Sequence, residues 1–339
     1  MSITYRIEIR ELQLRDPFGI ARNTRTSVRN LFIRIGDGWG EGAPVYYKGQ
    51  DVETMRELAE ECVPQIDVSA PPPATLRYLQ ERYPDQSALH QAIDLALHDH
   101  HARQANQPLW QLWKLNWQAV PPSTFTIGLD SVDVMVDKVR QAARFPWLKI
   151  KLGGQEDMQV LEAIRQETQK PLLIDANEGW TLEQAQEYWP QLEMLGVRML
   201  EQPLPREDLE GYRSLRESNP TAIPLFADEG VQGPEDVERW AGVVDGINIK
   251  LAKCGGLLAA RQMIQQAQRH GLRLMLGCMV ESSLGVSAAA HLAPLVEFAD
   301  LDGAELIAND PFEGLALPQG QIILPDRPGI GAALRSNTT

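Results

Sequence analysis

The chain has 339 residues and carries 46 acidic side chains against 32 basic ones, a net charge of −14. That length buries a sizeable core, as two domains or as one barrel-sized domain with an elaboration, and the negative balance offers no basic field to nucleic acid or to an anionic membrane. Cys62, Cys254 and Cys278 form no CxxC or metal spacing and no disulfide framework, and no apolar run resembles a signal peptide or the roughly 18 residues of a membrane span.

A cytoplasmic protein with a small-molecule partner is therefore expected, its oligomeric state open. TYRIEIREL and RNLFIRIGDGWGEG read as antiparallel strands joined by turns, followed by helical periodicity in DVETMRELAEECVPQI and SALHQAIDLALHDHHARQANQPLWQLW. This is an α+β unit over residues 1–120. From about residue 121 to 311 short apolar runs alternate with helix-like stretches: TFTIG, WLKIKLGG, PLLIDANEG, RMLEQPLP, PLFADEG, GINIKLAKCGG, RLMLGCMVE and FADLDG. Eight runs in that pattern are parallel βα units. The charged run-ends recur at even intervals, with 24 residues from Lys151 to Asp175, 26 to Glu201, 27 to Asp228, 22 to Lys250 and 28 to Cys278. A repeat of about 25 residues fits an eight-stranded α/β barrel of TIM type. A doubly wound open sheet ranks behind it, because no GxGxxG turn follows the first strand. The tail, 312–339, is turn-rich and is expected to pack back on the N-terminal unit.

Barrel active sites lie at the C-terminal ends of the strands, and there the run-ends converge. Asp175, Glu201 and Asp228 on three consecutive strands make a hard-oxygen cluster suited to Mg²⁺, one ion per chain. Any one of them alone reads more readily as a strand-end cap, but three at matching depth do not. Lys149 and Lys151 lie two apart on one strand, so their ammonium groups share a face about 6–7 Å apart, where like charges disfavour each other. Lys151 and Lys250 approach from opposite sides of the cluster, so two bases could face one substrate. Asp300 and Asp302 share a face on the eighth strand and could hold a cationic group. Lys253 reads as a salt-bridge partner, Asn177 and Glu229 as supports of the metal ligands, and the HDHH run at 98–101 as a solvated or partly packed helix without a third ligand.

The set PFGIARNTR, WGEGAP, KIK, DANEGW, LEQPLP, ADE, NIKLAKCGG and GCMVESS resembles the enolase superfamily, in its muconate lactonizing enzyme subgroup, over nearly the whole chain. The resemblance implies a (β/α)7β barrel with an N-terminal α+β capping domain. It implies Mg²⁺ on Asp175, Glu201 and Asp228, an acid/base pair in Lys151 and Lys250, and a substrate-carboxylate contact in Lys149, with an enediolate along the path. The DxD of FADLDG resembles the dipeptide epimerases, including L-Ala-D/L-Glu epimerase, in which Asp300 and Asp302 would bind a free α-ammonium, with Thr124 and Met279 lining the same pocket. Arg22, Arg25 and Lys48 stand as alternatives for reading the substrate side chain. o-Succinylbenzoate synthase and N-acylamino acid racemase are the enzymatic alternatives, and a silent barrel that only binds a small acid or peptide is the non-enzymatic one. The DxD favours a substrate with a free ammonium over the two enzymatic alternatives, and the presence of both lysines and all three carboxylates speaks against the silent barrel.

Overall fold

A computed structural model describes residues 4–20, 23–218 and 221–336; Arg22 lies outside them. The N-terminal sheet is antiparallel in the order β1 (Tyr5–Ile20), β2 (Asn23–Ile35), β3 (Gly38–Gly42). Four helices follow, α1 (Val52–Cys62), α2 (Pro72–Arg82), α3 (Ser87–Gln104) and α4 (Leu109–Leu112). α3 lies unusually close to β3, and the sequence shows why. Gly38, Gly40 and Gly42 recur at the strand period of two and face Ala96, Ala92 and Ala88, which recur at the helical period of four; a Cβ on any of the three glycines would run into the carbonyl of its alanine.

The barrel strands are β4 (Phe125–Ile127), β5 (Leu148–Lys151), β6 (Leu172–Asp175), β7 (Val197–Glu201), β8 (Leu225–Ala227), β9 (Gly246–Lys250), β10 (Arg273–Gly277) and β11 (Phe298–Asp300). They pair in parallel in sequence order. The ring closes where the Thr124 N–H donates to the Ala299 carbonyl at 2.9 Å. Between and after the strands run α5 (Val132–Gln141), α6 (Asp157–Glu167), α7 (Leu182–Met194), α8 (Leu209–Glu217), α9 (Pro234–Trp240), α10 (Leu251–Cys254), α11 (Leu257–Arg269) and α12 (Ser283–Ala290). All eight expected apolar runs are strands. They are buried on both faces, which is why they read as continuous apolar runs rather than alternating ones.

The final strands β12 (Phe312–Glu313) and β13 (Ala333–Leu334) pair with each other. The tail is tied to the end of α3: the Gly329 N–H donates to the Gln107 carbonyl at 3.0 Å, the Ile330 N–H to Asp99 at 2.7 Å, and Arg103 to the Ala332 carbonyl at 3.0 Å. The HDHH run is therefore less exposed than its composition suggests. His98 and Asp99 are buried, with His98 paired to Asp94 at 3.0 Å and Asp99 also accepting from the Trp39 N–H at 2.9 Å. No described helix is long and apolar enough to cross a membrane.

Candidate active site

Strand register sets the site. Lys151 pairs with Asp175, Asp175 with Glu201, and Lys250 with Gly277, so these side chains emerge at one level of the barrel mouth. Asp228 follows one residue beyond the end of β8. Asp175, Glu201 and Asp228 are buried and place one carboxylate oxygen each within 4.8 Å of the others, the one group of three or more His, Cys, Asp or Glu residues among those described that could hold a metal ion. Three hard oxygens gathered this closely demand a cation, and the donor set suits Mg²⁺.

Four lysines converge on the same carboxylates. Lys149 is wholly enclosed, with its Nζ 2.8 Å from Glu201, 3.1 Å from Asp175 and 3.1 Å from Asp300. Lys151 lies 2.5 Å from Asp175 and Lys250 2.6 Å from Asp228. Lys253, as expected, is a buried partner of Asp228 at 2.5 Å; it also donates to the Asp228 and Asn248 carbonyls. For Lys149 the depression expected from a neighbouring lysine is not the governing effect. Burial lowers Lys149, but Glu201, Asp300 and Asp175 override it and hold the ammonium well above its ordinary range; Lys250 is likewise held up, against burial, by Asp228. Each carboxylate responds to its own surroundings. Burial raises Asp175, yet Lys151 and Lys149 outweigh it and bring it to about 2, whereas burial and then Asp175 push Glu201 up to about 7.

Asp300 and Asp302 differ in the same way. Asp300 accepts from Thr124 at 2.6 Å, from Thr126 at 2.9 Å and from Lys149, and Lys149 above all keeps it low against burial. Asp302 accepts from the Thr126 N–H at 2.6 Å, and burial followed by Asp300 raises it to about 8.

A cavity of about 400 Å³ opens over these groups, a volume suited to a small ligand. Lys151, Lys250, Asp228, Asp300, Asp302 and Met279 line it. Thr124 does not reach it. Its hydroxyl lies beneath Asp300, and Thr126, two residues on and on the same strand face, takes the lining position. Of the loop cations Arg25 is at the cavity, with its guanidinium 3.9 Å above the Tyr46 ring. Lys48 turns away, 3.5 Å from the Ser87 hydroxyl and from the Lys253 carbonyl, into a separate cavity of about 660 Å³.

The sequence reading missed Tyr47 and Gln202. Tyr47 lines the cavity and stacks under Arg206 at 4.6 Å; an aromatic in a one-turn 3₁₀ segment carries no periodic signal. Gln202 stands next to Glu201 in the left-handed region, φ 40°, and its side-chain oxygen accepts from the Asp228 N–H at 2.8 Å and the Gly230 N–H at 3.1 Å. It thereby ties two of the carboxylates' turns together. Asn177 donates to Glu229 at 3.1 Å beside the cluster.

With this geometry in view, the relatives are informative. A family profile described as mandelate racemase / muconate lactonizing enzyme, N-terminal domain, matches residues 2–113, and one described as enolase C-terminal domain-like matches residues 134–338. The chain belongs to the enolase superfamily. Within it, the chain is 39% identical over 328 residues to an L-Ala-D/L-Glu epimerase of Bacteroides thetaiotaomicron, covering 95% of this chain and 85% of the relative. It is 34% identical to an L-Ala-D/L-amino acid epimerase of Flavobacterium johnsoniae, covering 95% and 97%. The crystal structure of a dipeptide epimerase from Cytophaga hutchinsonii, complexed with Mg and D-Ala-L-Val, superposes with a TM-score of 0.91 at 26% identity, covering 100% of this chain and 97% of that one. The superfamily barrel and its N-terminal antiparallel domain are thus those expected from the sequence motifs.

Proposed function

We propose that this enolase superfamily member is a Mg²⁺-dependent epimerase that inverts the α-carbon of the C-terminal residue of a dipeptide by 1,1-proton transfer. One observation carries the reading: a buried three-carboxylate cluster flanked by two lysines at opposed strand ends, with a second carboxylate pair, Asp300 and Asp302, on the eighth strand of the same cavity.

Asp175, Glu201 and Asp228 would hold the ion, which supplies positive charge against a substrate carboxylate as that group gains negative charge. Lys149 adds a fixed ammonium to the same purpose. Lys151 and Lys250 face the α-carbon from two sides; one removes the α-proton as a neutral amine while the other, as ammonium, delivers a proton to the opposite face. Inversion follows from that opposition. Asp300 and Asp302 take the free α-ammonium, which N-acylated amino acids lack. The cavity walls from β1 and β2, Phe18, Ile20 and Val28, are apolar, and Arg25 is the described cation there. L-Ala-D/L-Glu-type substrates are favoured on that account, with Arg25 facing the acidic side chain. The working unit is a cap of residues 1–120 over a barrel of residues 121–311, with the 312–339 tail returned to the cap, acting on a small molecule in the cytoplasm.

The test is a substrate panel with Mg²⁺: L,L-dipeptides, the same peptides N-acetylated, N-succinyl amino acids, and the precursor of o-succinylbenzoate. Epimerisation of the free dipeptides alone supports the reading, and turnover confined to the acylated or succinylbenzoate substrates refutes it.

A further inference from the structure

Three side chains from three elements of the N-terminal half converge on one short segment of the barrel, residues 279–285. Asn30 on β2 donates to Glu41 at 2.8 Å and to the Val280 carbonyl at 3.0 Å. Glu41 on β3 accepts from the Ser282 N–H at 2.9 Å, the Ser282 hydroxyl at 2.5 Å and the Gly285 N–H at 3.0 Å. Gln91 on α3 donates to Glu281, whose other oxygen accepts from the Met279 N–H at 3.1 Å. The side chains of Asn30, Glu41, Gln91, Glu281 and Ser282 are all buried.

The two carboxyl groups close on one point. A Cβ added to Gly285 would lie 3.0 Å from a Glu41 oxygen and 2.8 Å from a Glu281 oxygen, so glycine leaves the space they share. Two buried carboxyls so placed do not both ionise at low cost. Burial and then Glu281 push Glu41 up to about 8, and burial pushes Glu281 up to about 7. Burial lifts Glu41 further, but the donors favour the opposite order: Glu41 receives four, from Asn30, Gly285 and both the N–H and hydroxyl of Ser282, and so suits the acceptor-only carboxylate, whereas Glu281 receives two, which places the shared proton of the coupled pair on Glu281. The titratable groups facing the pair are Lys250 from β9 and the Cys278 thiol beyond β10. Asn30, Gln91 and Ser282, on the elements packed around it, are uncharged.

We propose that Glu41 and Glu281 are positioning residues that clamp the 279–285 segment to the N-terminal sheet and so set the cavity wall formed by Met279 and Val280. Both of those residues line the cavity, and each is bound through its backbone by this network. The effect on catalysis rests on the dipeptide reading; the clamp itself does not. A buried polar network of this kind fixes one arrangement because any other leaves members unsatisfied.

The experiment combines amide hydrogen exchange with steady-state kinetics on the full chain, comparing wild type with Glu41→Ala and Glu281→Gln at equal pH. Glu41→Ala is expected to deprotect the Ser282 and Gly285 amides about tenfold and to raise KM for a dipeptide about tenfold, with kcat within about twofold. Glu281→Gln, uncharged and of the same shape, is expected to match wild type at pH 7 and to lack the loss of protection that wild type shows between pH 7 and 9. Unchanged protection and KM in Glu41→Ala, a lowered Tm with KM unmoved, or the same pH response in Glu281→Gln and wild type would each overturn the proposal. Should Glu41→Ala fail to fold, the Glu281→Gln comparison decides alone. Should wild type turn over no dipeptide, the functional reading fails, and the exchange data still decide the clamp.

Discussion

Lys149 Nζ lies 2.8 Å from Glu201 Oε2, and neither side chain has any exposure to solvent. The same ammonium reaches Asp175 and Asp300, so one cation links the proposed metal ligands to the proposed ammonium site. Removing it takes from Glu201 its one ammonium partner within 4.0 Å among the described residues, while Asp175 keeps Lys151 and Asp300 keeps Thr124 and Thr126. Breaking a buried pair in this way costs about 3–5 kcal/mol. Lys149→Met is therefore expected to lower the stability of the chelator-treated protein by about 3 kcal/mol, and saturating Mg²⁺ should recover much of that loss. Thermal unfolding with EDTA and with Mg²⁺ measures both; an equal loss in the two conditions contradicts the arrangement.

Lys151 and Lys250 stand beside different carboxylates, Asp175 and Asp228. Each single alanine variant should abolish inversion, a loss of about 10³-fold or more, because a general acid/base contributes about 10²–10⁴. Each should still exchange the α-proton of one diastereomer, the two variants choosing opposite ones. Exchange without inversion, followed by NMR in D₂O, is the readout, and full inversion by Lys250→Ala would defeat the two-base scheme.

Asp302 is raised to about 8 by burial and by Asp300. A bound α-ammonium favours its charged form, so substrate binding at pH 7 should release protons, seen as a dependence of calorimetric binding heat on buffer ionisation. Asp302→Asn should remove that release and raise KM about 10- to 100-fold, the worth of a hydrogen bond to a charged group at about 1.5–3 kcal/mol.

His291 is buried between the α4 segment and the tail, accepting from the Trp110 N–H and facing the Ile330 carbonyl, each at 3.1 Å. Burial lowers it to about 4 from 6.5. A histidine with a lowered folded pKa contributes stability that is present above pH 6.5 and is lost as the pH falls toward 4. The loss is about 3 kcal/mol at most, at about 1.4 kcal/mol per pK unit. Tm measured from pH 7 to 4 should fall less steeply in His291→Gln than in wild type.

What the sequence made legible follows from periodicity. Strands buried on both faces show as apolar runs, and a barrel repeats them at nearly constant spacing, which places Asp175, Glu201 and Asp228 at one depth from the sequence alone. Depth within a face was harder. Thr124 and Thr126 share a face and both bond Asp300, and only the closing register between β4 and β11 decides which one meets the cavity. Adjacent residues in an irregular turn diverge without warning, as Tyr47 and Lys48 do. Glu41 carries no sign of burial in its glycine-rich strand; it is buried because the glycines bring α3 onto one face of β3 while the barrel covers the other. Sequence spacing carries no record of such cross-domain packing.

The most direct test of the central claim is proton NMR of L-Ala-L-Glu with the protein and Mg²⁺ in D₂O. The proposed function predicts that the glutamate α-proton signal disappears as L-Ala-D-Glu appears carrying deuterium at that carbon, with the alanine α-proton untouched. Retention of the α-proton in every free dipeptide offered, with the Mg²⁺ site saturated, would contradict it.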